Sequence, residues 1–364
     1  MLYAMGKLWK ENWEETRRHF LGWWKGNDAV VRLEGAITRA EKPHAEVADP
    51  GHPGTLERNY TDPGWIAANR RNWMARSAFP ADNLPLVSAE FGPGSLATYL
   101  GSEPRFAWDT VWYEPCIHDP NSHPPLVFDP ANPWWKKHEA IYRELVRAAD
   151  GNFLVGCPDI IENIDILSAM RDPQTLLVDM IDRPEWVKAR TREITAAFFA
   201  AYERMYEIIK SPDGGSCFGP FQVWGPGKTV KIQCDASAMI SKPMFDEFVL
   251  PDLAEQCARL DNTMYHLDGT HAMHHLDSLL SIPDLDAIEW TPQYGIPGGG
   301  DLMWADLYKR ILSAGKSVQA IGPHRDQVKP LLERTGARGM YLFVNGVDTP
   351  AQAAEVMRTV ESFL

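Results

Sequence analysis

Tyr265-His266-Leu267-Asp268-Gly269 sets an imidazole and a carboxylate two residues apart. On a strand that spacing puts both on one face. There they can ligate a divalent metal or act as an acid/base pair. The plainer alternative is a histidine capping the next helix and an aspartate in a turn. Three further segments bear on the same chemistry. Glu289, ending the run Asp286–Trp290, stands on the next strand, about 4.8 Å away, within reach of Asp268. His324, in Gly322-Pro323-His324, offers a second imidazole. Asp235, in Cys234-Asp235-Ala236-Ser237, either caps a helix or reaches into the site. Asp235, His266, Asp268 and Glu289 are therefore the candidate catalytic groups, and His266, Asp268, Glu289 and His324 the candidate metal ligands. Glu90, Trp112, Glu162, Trp224, Trp290 and Asn345 are the candidates for substrate contact. Two segments, Glu90–Gly94 and Trp108–His118, are expected to cover the site.

These residues need strands that end at one place. From about residue 150 short β-prone runs alternate with helical ones. Strands are expected at 152–157, 216–222, 230–234, 263–267, 286–290, 317–321 and 339–344, with helices near 243–260, 271–280, 302–313, 325–334 and from Pro350. In the last helix Ala353, Val356, Met357, Val360 and Phe363 form one apolar stripe, with Thr349 as N-cap and Pro350 at the first helical position. Such alternation implies parallel strands joined by right-handed crossovers. The expectation is an α/β chain forming a single (β/α)8 TIM barrel over residues 1–364. Residues 1–150 supply N-terminal helical and loop extensions, including a strand at 84–89, and 150–364 supply the regular βα units. A doubly wound open sheet is the alternative, but the Gly-rich turn of a dinucleotide fold is missing. Barrel enzymes work at the C-terminal ends of their strands, where the candidate residues fall.

Composition narrows the function. With a formal charge of -13 and no basic block, nucleic acid and anionic lipid are not expected partners. No run is long enough to span a membrane, and the N-terminus lacks a signal-like apolar stretch. Five cysteines without CxxC spacing suit reduced, buried thiols, so a cytoplasmic setting is expected. The 14 tryptophans read as anchors of a large core and of a subunit interface such as a homodimer's, or else as an aromatic cleft for a flat or sugar-like ligand. His271, His274 and His275 read as a surface helix rather than a ligand set. Gly295–Asp301 lacks the Lys-Ser/Thr of a phosphate loop, and no Gly-x-Ser-x-Gly elbow is present.

The run Asp235-Ala-Ser-Ala-Met-Ile-Ser-Lys-Pro-Met-Phe-Asp-Glu-Phe-Val-Leu-Pro251 resembles the signature of the uroporphyrinogen decarboxylase superfamily. His266-Leu-Asp-Gly269 falls where that superfamily's next strand ends, and Asn345-Gly346 with Thr349-Pro350 resembles the end of its last strand. The resemblance is clear over 150–364 and loose before. It implies one of two activities. The first is cofactor-free decarboxylation of a porphyrinogen's acetate arms; the second is methyl transfer between a corrinoid and an acceptor, using zinc held by His-x-Cys and a later Cys. Here the pair reads His266-x-Asp268, and the later position reads Val344-Asn345. No convincing match to the decarboxylase's arginine signature exists, Arg70, Arg71 and Arg76 being diffuse. Metal-assisted methyl transfer with a small corrinoid protein as partner is the first expectation. The divalent metal would be zinc without thiolates or a harder ion. A decarboxylase-like lyase, a sugar-acting barrel using Glu90, Glu162 and Glu289, and a non-catalytic binding protein are the alternatives.

Overall fold

The computed structural model describes residues 8–364. Eight strands run parallel within two sheets: β1 (Val30–Leu33), β2 (Leu86–Val87), β3 (Leu154–Val155), β4 (Thr229–Gln233), β5 (Asn262–Asp268), β6 (Ala287–Thr291), β7 (Ser317–His324) and β8 (Met340–Asn345). Six make one sheet in the order β1-β8-β7-β6-β5-β4, and β2 pairs with β3 alone. The chain is thus α/β, with a six-stranded parallel sheet where eight hydrogen-bonded strands were expected.

Side chains take up backbone groups at both edges of the six-stranded sheet. Beside β1, the Asn83 amide copies a strand: its Oδ1 accepts from Leu33 N–H and its Nδ2 donates to Leu33 C=O, both at 2.8 Å. Asp82 does half the same, its Oδ2 accepting from Val31 N–H at 2.9 Å. Beside β4, Glu162 Oε1 accepts from Gln233 N–H at 2.8 Å and Asn163 Nδ2 donates to Gln233 C=O at 2.6 Å. A buried backbone group must find a partner somewhere, and here the partner is a carboxylate or an amide.

Alternation along the strands sorts the two faces. Ile232, Tyr265, Leu267, Ile288, Trp290, Val318, Ala320, Leu342 and Val344 join the larger core, together with residues of the surrounding helices. Val30, Leu86, Leu154, Met264, Ala287 and Tyr341 join a second core, which packs on helix Trp13–Trp23 at the N-terminal ends of the strands. There Trp23 Nε1 donates to Gly339 C=O at 3.1 Å.

The expected strand at 216–222 is instead an antiparallel hairpin, Ser216–Phe218 with Val223–Gly225. The Gly219–Gln222 turn between its arms docks on the inner face of the sheet: Gln319 Nε2 donates to Phe221 C=O at 2.9 Å and Tyr341 Oη to Gln222 C=O at 2.8 Å. The helix expected at 243–260 is broken into Lys242–Phe248 and Leu250–Arg259 around Val249, two residues before Pro251. At Thr349 the expected N-cap is present within a full capping box closed by Gln352.

Candidate active site

His266 lies on β5 directly opposite Glu289 of β6, the two being register partners. His266 Nδ1 makes a short hydrogen bond to Glu289 Oε2. Thr291 Oγ1 donates to the other Glu289 oxygen at 2.6 Å, so a fully buried carboxylate is held from two sides. Burial alone would favour the neutral imidazole, but the Glu289 charge and hydrogen bond outweigh it and raise the pKa of His266. With Nδ1 engaged, Nε2 is the ring nitrogen left for a ligand.

Asp235, His266 and Asp268 come together, each offering one atom within 4.8 Å of the others. His266 and Asp268 do so because they share a strand face, as their spacing requires. Asp235 opens the 3-10 turn Asp235–Met239 that follows β4. Asp165 fixes that turn, its two carboxylate oxygens accepting from Asp235 N–H at 2.7 Å and Ala236 N–H at 2.8 Å. Gln233 Nε2 donates to Asp235 Oδ2 at 2.8 Å. His275 Nε2 donates to Ser237 C=O at 2.9 Å from a buried position, so it is a structural histidine and not part of a surface helix. The Asp235 carboxyl is open to solvent yet recessed among its neighbours. Burial first, then the Asp165 and Asp268 carboxylates, push it up to about 6.

One imidazole and two carboxylates suit a divalent metal of oxygen and nitrogen preference, zinc among them. Thiolate ligation does not fit. Cys234 adjoins the group but is buried, and burial raises its thiol well above the ordinary range. All five cysteines are free.

Behind the group lies a buried polar layer, in which Glu90 and Glu162 were expected site residues and Lys231 was not. Lys231 Nζ pairs with both Asp159 oxygens, at 2.8 and 3.0 Å, and also contacts Gln233 Oε1. Burial raises Glu162 to about 8; its Oε2 finds no hydrogen-bond partner among the described residues. Burial, then Asp159, raises Glu90 to about 7. Lys231 could have been found: a lysine in the middle of an apolar strand, at the same parity as Gln233, signals an inward charge.

The fold now has a known counterpart. It is similar to that of a methyltransferase from Methanosarcina mazei. The likeness spans 96% of this chain and 98% of that one, with a TM-score of 0.58 at 12% identity. A B12-independent methionine synthase from Shewanella sp. W3-18-1 aligns over 92% of this chain and 99% of its own, with a TM-score of 0.47 at 9% identity. No family model and no curated protein matches the sequence. The likeness to the Methanosarcina mazei methyltransferase is one of fold.

Several expected site residues fall elsewhere. Glu289 is withdrawn behind His266 rather than placed among the ligands. His324 caps the helix Arg325–Thr335, its Nδ1 accepting from Asp326 N–H, and stands outside the group. Trp290 faces the helices against Trp304, at 4.9 Å between ring centroids, because it has the opposite parity to Glu289. Trp224 is buried at the N-terminal ends of the strands, edge-on to Trp13 at 5.7 Å. Neither can meet a ligand at the His266 group. Glu90 and Glu162 are interior groups, so with Glu289 they do not form the open carboxylate pair of a glycosidase. Trp112 is 69% exposed on the hairpin Pro104–Phe106/Val111–Tyr113. Asn345 ends β8 in an exposed position, its Nδ2 donating to Gly322 C=O at 3.5 Å.

Proposed function

We propose that the eight strands act as one (β/α)8 barrel and that the chain is a methyltransferase. Asp235, His266 and Asp268 hold its divalent metal at the C-terminal strand ends. The observation that carries this reading is the convergence of those three side chains with Glu289 locked on the rear nitrogen of His266. Carboxylate–histidine–metal arrangements of this kind fix ring orientation and ligand basicity. A divalent ion bound there would serve as a Lewis acid toward an oxygen or nitrogen methyl donor or acceptor.

The chain's own groups prepare the site. Glu289 keeps Nε2 of His266 aimed outward, and Gln233 with Asp165 sets the Asp235 carboxyl. Asp235, pushed up to about 6 in the metal-free fold, would release its proton on taking the ion. Phe221, 4.9 Å from the His266 ring, walls the cluster on the inner side and limits water there. The methyl carrier we assign is a corrinoid on a small partner protein. Met239, Tyr294, Leu302 and Met303, all exposed apolar residues following β4 and β6, supply a rim for such a partner.

Elemental analysis of purified protein tests the metal: about one equivalent is expected, lost in His266→Ala. Methyl transfer from O- or N-methylated donors to a reconstituted corrinoid protein tests the reaction. Protein without metal and without transfer would reject both parts.

A further inference from the structure

A cavity of about 370 Å³ sits at the junction of β1 and β2. It shares none of Asp235, His266 and Asp268, and β8, β7 and β6 lie between β1 and β5; Gln222, next to Phe221 in the hairpin turn, lines it from the side of that group. Three guanidinium groups line it, from Arg32, Arg39 and Arg76, against the single acid Glu34. Arg32 is spoken for: its Nε donates to Glu34 at 2.6 Å and it lies over Phe343 at 4.8 Å. Arg39 has no side-chain hydrogen bond or ion pair among the described residues. Arg76 donates only to the carbonyls of Asn72 and Val47, at 3.2 and 3.4 Å. Two exposed cationic groups thus face one open cleft without a carboxylate of their own, in a chain of net charge -13. The walls are Trp73, which is 53% exposed, and Phe79.

We propose that this cavity binds a small organic oxyanion, a carboxylate or phosphate ester carrying an aromatic or apolar body. The planar guanidinium fork matches either oxyanion through paired hydrogen bonds. Trp73 and Phe79 give the body a surface on which to stack. The volume lies near the lower end of the range for small-molecule sites, roughly 300–1,000 Å³, so a compact ligand fits and a macrocycle does not. The proposal does not depend on methyl transfer or on a metal.

Calorimetric titration with benzoate, phenyl phosphate and neutral benzyl alcohol tests it, with tryptophan fluorescence as a second readout through Trp73. At least one anion should bind and the alcohol should not; which anion binds more tightly tells carboxylate from phosphate recognition. Arg39→Gln with Arg76→Gln should weaken that anion by about tenfold or more, the loss expected for a charge-assisted hydrogen bond. Glu34→Gln should not weaken it, and His266→Ala should leave its affinity unchanged. The proposal is overturned if neither anion binds, if the alcohol binds as well, or if the double variant binds like the parent. Loss of binding in His266→Ala alone would place the anion at the other site and overturn it equally.

Discussion

Glu289 and His266 face each other across neighbouring parallel strands, and the carboxylate takes the Nδ1 hydrogen of the imidazole while receiving the Thr291 hydroxyl. A buried carboxylate behind a histidine serves to aim the ring and to set how strongly its far nitrogen binds.

Glu289→Gln should therefore weaken metal binding by about 10–100-fold with the fold retained, the usual cost of losing a partner behind a ligating histidine. Competition with a chelating dye measures this. An affinity equal to the parent's would show that Glu289 does not orient the ring.

His266→Ala has a structural cost as well as a chemical one. It strips Glu289, which has no solvent access, of one of its two side-chain partners. Stability should fall by about 1–3 kcal/mol, the penalty for a buried polar group left short of a partner. His266→Ala with Glu289→Ala should recover part of that loss in a double-mutant cycle by denaturant unfolding. Equal stability of parent and single variant would mean that Glu289 readily takes a proton instead.

Glu162 gives a pH signature. Its carboxyl is raised to about 8 in the fold, so the folded chain holds a proton that the unfolded chain releases near its ordinary value of 4.5. The stability it contributes is complete below the unfolded value and is lost as pH rises through the folded one. The melting temperature of metal-free protein should fall between about pH 5 and pH 8, and Glu162→Gln should flatten that slope. Parallel slopes would assign the pH dependence to other groups.

Uroporphyrinogen should not be decarboxylated. Eight carboxylates repel one another by roughly 1 kcal/mol or more per unscreened pair, and holding them takes several converging cations. Asp235, Asp268 and Glu289 around His266 are acids, and the arginine-lined space near β1 is too small for a macrocycle. Anaerobic incubation with uroporphyrinogen is the check. Stepwise formation of coproporphyrinogen at an enzyme-like rate would replace methyl transfer by a lyase reaction.

The parts legible in the sequence were those set by local periodicity. The pairing of His266 with Asp268, the run of strands from 263 to 344 and the cap at Thr349 all follow from spacing alone, and each lies within a residue or two of its expected place apart from the longer end of β7. What could not be read depends on contacts between distant segments. Glu289 has the type and position of a ligand; only the register with His266 shows that it stands behind one. Trp290 and Trp224 are defined by the side of the sheet they occupy, which an apolar run does not reveal. Asn83 and Glu162 replace strand hydrogen bonds with side chains, a substitution that leaves no periodic trace. Val30–Leu33, only four residues long, gave no usable signal amid the irregular N-terminal third.

The packing of Trp13, Phe20, Trp23 and Trp224 at the N-terminal ends of the strands, with the Phe221 turn docked above it, has a kinetic consequence. Those rings fill the N-terminal side behind the His266 group. Under the proposed methyl transfer, donor and acceptor would then share the approach from the C-terminal strand ends and compete for it.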